Sequence, residues 1–228
     1  MMRRVPIPVR TDVPTRRAPG VVIAIAAGNL LGFAYAVSLG PDGAGELIDR
    51  FGLVPRELLR AAAHPDASQP WAWLTPASSM FLHGSLLHLA GNLLYLSIFG
   101  AQIEDLLGHA RFAIFYAACG LAASAIHVAS DPSSYLPTVG ASGAISGLLG
   151  AYAVSYPTGR LRLLWPRVPV PAIVFLALWI ALQVAAGLDT GGAGGGTAWW
   201  AHVGGFVAGA ALARSMWLRR PVRSRLRI

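Results

Sequence analysis

The chain has 228 residues, 55% of them hydrophobic and only 12% charged, with a mean hydropathy of +0.55. A soluble domain of this length needs far more charge to cover its surface, so a membrane bundle is expected, with the lipid bilayer as its partner and no second soluble domain. The net charge of +8 does not indicate nucleic acid, because all eighteen basic residues are Arg, they cluster at the termini, and no basic face is interleaved with aromatics.

Residues 1–19 are rich in Pro and Arg and are expected to form a basic cytoplasmic segment. The apolar run that follows, at 21–39, exceeds the ~7–15 residues of a signal-peptide core. It is expected to be an uncleaved first span despite the signal-peptidase-like triplet Ala34-Tyr35-Ala36. Further apolar segments fall at 81–101, 111–130, 141–156, 171–188 and 198–217. The expected fold is therefore all-α, a polytopic membrane bundle of six transmembrane helices over 20–217, followed by a basic cytoplasmic tail at 218–228. The fourth and sixth segments are short and rich in small residues, which local thinning or a snorkelling Arg214 accommodates.

With a cytoplasmic N-terminus, fifteen of the eighteen Arg fall on the cytoplasmic side, including Arg111, Arg160, Arg162 and Arg167. The other three, Arg50, Arg56 and Arg60, lie in a long first outer loop at 40–80, among acidic residues. That loop is too long to lack structure, and it is expected to hold short amphipathic helices anchored by Trp71 and Trp73. Pro157, Pro166, Pro169 and Pro171 break the chain between the fourth and fifth spans. A Gly-rich loop, 189–197, precedes the sixth and is expected to be flexible. Arg without Lys, with heavy Ala and Gly usage, fits a GC-rich bacterial genome, and hence a bacterial cytoplasmic membrane.

Polar side chains within membrane helices are costly and face the bundle interior. Three groups stand out: His83, His88 and Asn92 in the second span, Ser142 with Ser146 in the fourth, and His202 in the sixth. All three spans enter from the outer side. His88 lies about six residues in, Ser142 one or two and His202 about four, which at ~1.5 Å per residue brings them to a similar depth. A serine hydroxyl becomes a nucleophile once a base takes its proton, and histidine does this near neutral pH. Ser142 opens a helix, where free backbone N–H groups favour negative charge. His88 and Asn92 are four apart on one face and can both donate to a developing oxyanion. No carboxylate lies near in sequence to orient His202, so a Ser–His dyad is expected rather than a triad. Gly143, Gly147 and Gly150 on the fourth span face Gly205-xxx-Gly209 on the sixth, spacing that lets two helix backbones approach closely.

Gly140-Ala141-Ser142-Gly143, His83-Gly84-Ser85-Leu86-Leu87-His88-Leu89-Ala90-Gly91-Asn92 and Ala201-His202-Val203-Gly204-Gly205 together resemble the rhomboid intramembrane serine proteases, as does Glu104-Asp105 followed by Arg111-Phe112. The resemblance covers about residues 71–213, in the order of the family. It implies Ser142 as nucleophile, His202 as general base and then acid, and an oxyanion hole of His88, Asn92 and the Ser142 backbone N–H, supported by Gly140, Gly143 and Gly205. It also implies substrates that are themselves transmembrane proteins and enter laterally near spans two and five. Two positions depart from the family: Trp71 is followed by Ala72 where Trp-Arg is often found, and Ser146 stands where some members stack a Tyr on the catalytic histidine.

Other polar residues have plainer roles. His83 is ~140° around a regular helix from His88, so it is expected to be structural. His64, His109 and His127 are expected at the interface, Glu104 and Asp105 as a loop cap with Arg111 as a candidate partner, and Cys119 as a packing residue. No His-Glu-x-x-His occurs, so no metal or other cofactor is implied. A serine in a membrane helix often only bonds back to a carbonyl, and the competing reading is a catalytically silent rhomboid-like protein that binds or escorts membrane helices. The presence of both Ser142 and His202 favours the enzyme. The sequence leaves the oligomeric state open.

Overall fold

A computed structural model of the chain describes residues 7–65, 70–165, 168–189 and 198–214. Arg167, the Gly-rich stretch 190–197 and the basic tail lie outside these residues. The described chain is mostly helical. Helix α1 spans Gly20–Ser38, α5 Leu86–Tyr95, α6 Ala101–Leu107, α7 His109–Ser130, α8 Ser142–Ser155, α9 Ala172–Asp189 and α10 Trp199–Leu212. One π-helical segment, Leu96–Gly100, joins α5 and α6 into a single rod of 22 residues. Four helices, α1, the α5–α6 rod, α7 and α9, are long and apolar enough to cross a membrane, and α8 is a shorter apolar helix.

The bundle is built around α8. Every residue from Ala144 to Tyr152 is buried, which requires a helix apolar on all sides. Its glycines set the distances to its neighbours. A Cβ at Gly143 would lie 2.7 Å from that of Ala123 on α7, and one at Gly150 would overlap the Phe206 carbonyl on α10. The outer helices bury one stripe only: on α9, Leu176 is fully buried while Leu178 and Leu182 are each 59% exposed, as expected where hydrocarbon surrounds the bundle.

The first loop folds as the amphipathic pattern predicts, into α2 (Gly40–Phe51), α3 (Pro55–Ala63), a 3-10 turn (Pro70–Leu74) and α4 (Thr75–Ser78). The cation missing after Trp71 arrives from α2, where the Arg50 guanidinium sits 4.3 Å from the Trp71 ring centroid. The loop is tied to the α7–α8 connection by a bridge between Leu53 and Thr138.

The chain is not wholly α-helical, which amends the expected fold class. Strands β1 (Pro8–Thr11), β2 (Arg160–Leu163) and β3 (Pro169–Pro171) form an antiparallel sheet in the order β1-β2-β3. Prolines occupy the two edge strands, where a missing N–H is tolerated, and the central strand buries Leu161 and Leu163. The sheet brings the N-terminal segment to the connection between α8 and α9. At the same end, Asp105 accepts the backbone N–H groups of Arg16 and Arg17, and Thr11 bonds the buried Tyr152 hydroxyl at the base of α8. The first loop and the start of α8 meet at the opposite end.

Candidate active site

Ser142 is the first residue of α8. It follows Gly140, whose φ of +123° is reserved for glycine. The Gly140 N–H donates to the Ser79 carbonyl at 2.8 Å, which holds the turn against the first loop. The first N–H groups of a helix have no intrahelical acceptor, so the start of α8 presents donors and the positive end of its dipole beside the hydroxyl.

His202 comes from the first turn of α10. The close approach of α8 and α10 brings its Nε2 to 2.8 Å from Ser142 Oγ. Only glycine permits this approach, because a Cβ at Gly205 would overlap the Gly143 carbonyl and one at Gly209 the backbone of Gly147. Both side chains are half-buried.

Helix α5 supplies the facing wall. Ser85 caps it, accepting the His88 N–H at 3.1 Å. A Cβ at Gly140 would lie only 2.7 Å from the His88 ring atoms Cε1 and Nε2, so that ring lies over the turn before Ser142. Asn92, one turn later, is buried, and its amide nitrogen has no partner among the described residues. His88, Asn92, Ser142, Ser146, Trp179 and His202 line one cavity of about 230 Å³. A second, of about 280 Å³, flanks the same pair and is bounded by His88, His127, Gly140, Ser142, Gly143 and His202.

The residues singled out in sequence are not all where a regular helix would put them. His83 lies before the Ser85 cap, outside the helix, so the ~140° separation from His88 does not apply. The two rings instead meet edge to face, 5.1 Å apart. His127 is not merely interfacial: its Nε2 bonds Thr138 Oγ1 at 2.8 Å, and it lines the cavity beside Ser142. Ser146 donates to the Ser142 carbonyl at 2.6 Å and does not reach His202. Two tryptophans flank the histidine ring, Trp179 at 6.0 Å and Trp199 at 6.3 Å between centroids.

One contact of His202 has no counterpart among the residues picked from sequence. Its Nδ1 lies 2.8 Å from Oε1 of Gln183 on α9. The signal was present, since Gln183 is the lone polar side chain in the apolar stretch 172–188.

The chain matches the family model of the Rhomboid domain over residues 67–219. It is 37% identical over 145 residues to rhomboid protease GluP of Bacillus subtilis (strain 168), covering 62% of this chain and 26% of that protein. It is 32% identical over 136 residues to the mitochondrial presenilin-associated rhomboid-like protein of Mus musculus, covering 58% and 35% respectively. To RHOMBOID-like protein 5 of Arabidopsis thaliana it is 33% identical over 138 residues, covering 58% and 40%. These matches thus span between 26% and 40% of the length of the curated relatives. A domain match across more than half of the chain, running through both Ser142 and His202, makes the protein a member of the rhomboid family of integral membrane proteins.

Proposed function

We propose that the chain is an intramembrane serine endopeptidase that cleaves transmembrane proteins through a Ser142–His202 dyad. The observation that carries this is the 2.8 Å contact between His202 Nε2 and Ser142 Oγ at the glycine-permitted crossing of α8 and α10. His202 Nε2 takes the hydroxyl proton as Oγ attacks the scissile carbonyl carbon. The oxygen of the tetrahedral intermediate is received by Asn92, His88 and the Ser142 backbone N–H. His202 then gives its proton to the leaving amine, the peptide C–N bond breaks, and an acyl-enzyme remains. Water, deprotonated by His202, releases the acid and restores the hydroxyl.

The same reading assigns six spans, with α8 and α10 as the short fourth and sixth, and both termini in the cytoplasm of a bacterium. It keeps the division into a basic segment 1–19, a membrane domain 20–217 and a tail 218–228. Helix α8, at 14 residues, is only ~21 Å long against a hydrocarbon core of ~30 Å, which favours a Ser142 below the membrane surface. Co-location of the N-terminal strand with the α8–α9 connection, opposite the first loop, favours the alternating path.

The test is labelling of the detergent-purified protein by a fluorophosphonate, alongside Ser142→Ala and His202→Ala. Labelling of the parent that both variants lose is the expected result. A folded parent that stays unlabelled and cleaves no transmembrane substrate in lipid would instead indicate a helix-binding protein without protease activity.

A further inference from the structure

We propose that Gln183 is a positioning residue that fixes the tautomer of His202, so that α9 completes a Ser142–His202–Gln183 relay without a carboxylate. The inference rests on the protease reading for its consequence in catalysis, though not for the tautomer itself.

The geometry begins with helix phase. Leu176, Trp179, Ile180, Gln183 and Gly187 form the inward stripe of α9, at spacings of three and four, while Leu178 and Leu182 point away. An amide among apolar residues in such a helix is costly unless it is bonded. Gln183 meets this requirement through its Oε1, which lies 2.8 Å from His202 Nδ1. A carbonyl oxygen only accepts, so Nδ1 carries the proton. A neutral imidazole has one N–H, which leaves Nε2 with a lone pair facing Ser142 Oγ at 2.8 Å. Nε2 is the nitrogen that must accept the serine proton, so the Gln183 bond selects the productive form over the mute one. Trp179, one turn earlier on the same stripe, packs its indole against the ring at 6.0 Å between centroids, tilted by 39°. Together they hold the histidine from α9, the work that a Tyr at the Ser146 position would otherwise do from α8.

Being neutral, the amide orients the ring without adding charge. Among the described residues no Asp or Glu lines either flanking cavity, and the titratable side chains that line them beside His202 are His88 and Tyr95 on α5 and His127 on α7. A carboxylate at position 183 would therefore place an anion beside a ring that has none among the described residues lining these cavities.

The test compares Gln183→Leu, which keeps the bulk and removes the acceptor, with Gln183→Glu, which restores an acceptor. Nitrogen-15 spectra of the His202 ring are recorded in detergent beside fluorophosphonate labelling. In the parent, Nδ1 should be protonated and Nε2 bare, and Gln183→Leu should lose that signature. Labelling by Gln183→Leu should fall at least tenfold, a share of the ~10²–10⁴ that a positioned base contributes, in a protein that melts like the parent. Gln183→Glu should recover rate, with the acid limb of its pH profile moved to higher pH, because a carboxylate stabilises the imidazolium and raises the pH at which Nε2 becomes free. A parent with its proton on Nε2 would overturn the inference, as would Gln183→Leu labelling at the parent rate with an unmoved pH profile. Absence of labelling in the parent would count against the protease alone, and the ring spectrum would still decide the tautomer.

Discussion

The carboxylate of Glu104, in the middle of α6, accepts the backbone N–H of Val22 at 2.8 Å, and its other oxygen accepts that of Val21 at the same distance. It caps α1 across more than eighty residues of sequence, because the residue at the N-cap of that helix is Pro19, which makes no side-chain cap bond. His109 bonds the same carboxylate. The side chain is only 1% exposed, so its loss strands buried donors as well as removing charge-assisted bonds. Glu104→Ala is expected to cost about 2–3 kcal/mol, seen as a fall in melting temperature of roughly 5–10 °C. Glu104→Gln, which keeps one acceptor oxygen, should lose about half of that. Equal melting of all three proteins would refute the capping role.

Gly140 serves the site through two constraints at once. Its φ of +123° strains any L side chain by about 1–3 kcal/mol, and a Cβ would press into the His88 ring. Gly140→Ala should therefore slow fluorophosphonate labelling by tenfold or more while the bundle still assembles. Labelling at the parent rate would mean that the turn and the His88 ring relax without consequence.

The crossing of α8 and α10 is set by backbone against backbone. At Gly209 the three nearest obstacles to a Cβ are all backbone atoms of Gly147, so nothing flexible can give way. Gly209→Ala should push the helices apart, and since a ~1 Å misplacement can cost about 10²-fold, labelling should fall by that order together with thermal stability. Gly45→Ala, on α2 with open space around its Cβ, should change neither. If Gly209→Ala behaves like Gly45→Ala, the close approach is not required.

How much of this was legible depended on whether the signal was local. Ser142, His202, His88 and Asn92 stand out because each is polar within an apolar run, and Gln183 satisfies the same criterion but was not singled out. The sheet was not legible: its strands are three or four residues long and two begin with proline, too short for alternation to emerge, although Arg160-Leu161-Arg162-Leu163 alternates once the partners are known. The angle between His83 and His88 was not legible because helical phase counts from the edge of the apolar segment only if the helix starts there, whereas Ser85 starts it at Leu86; the structural reading of His83 does not depend on that angle. Glu104 could be read as a cap, but the helix it caps is known only from the folded chain.

Asn92 separates function from stability. It is buried, yet its amide nitrogen has no partner among the described residues and sits 3.7 Å from where a Cβ of Gly140 would be, beside the turn that leads into Ser142. An orphaned buried donor costs folding energy, so removing it should not harm the fold and can improve it. If the donor is held ready for a developing oxyanion, Asn92→Ala should lower turnover by about 10²–10³-fold, with little change in KM. That loss should remain smaller than the loss from Ser142→Ala, since the dyad itself is intact. Asn92→Asp should be slower still, because it sets a negative charge against the oxyanion. The measurement pairs a melting curve with cleavage kinetics in lipid. Lower activity with equal or higher melting temperature is the expected result, whereas parallel losses in both would make Asn92 a packing residue.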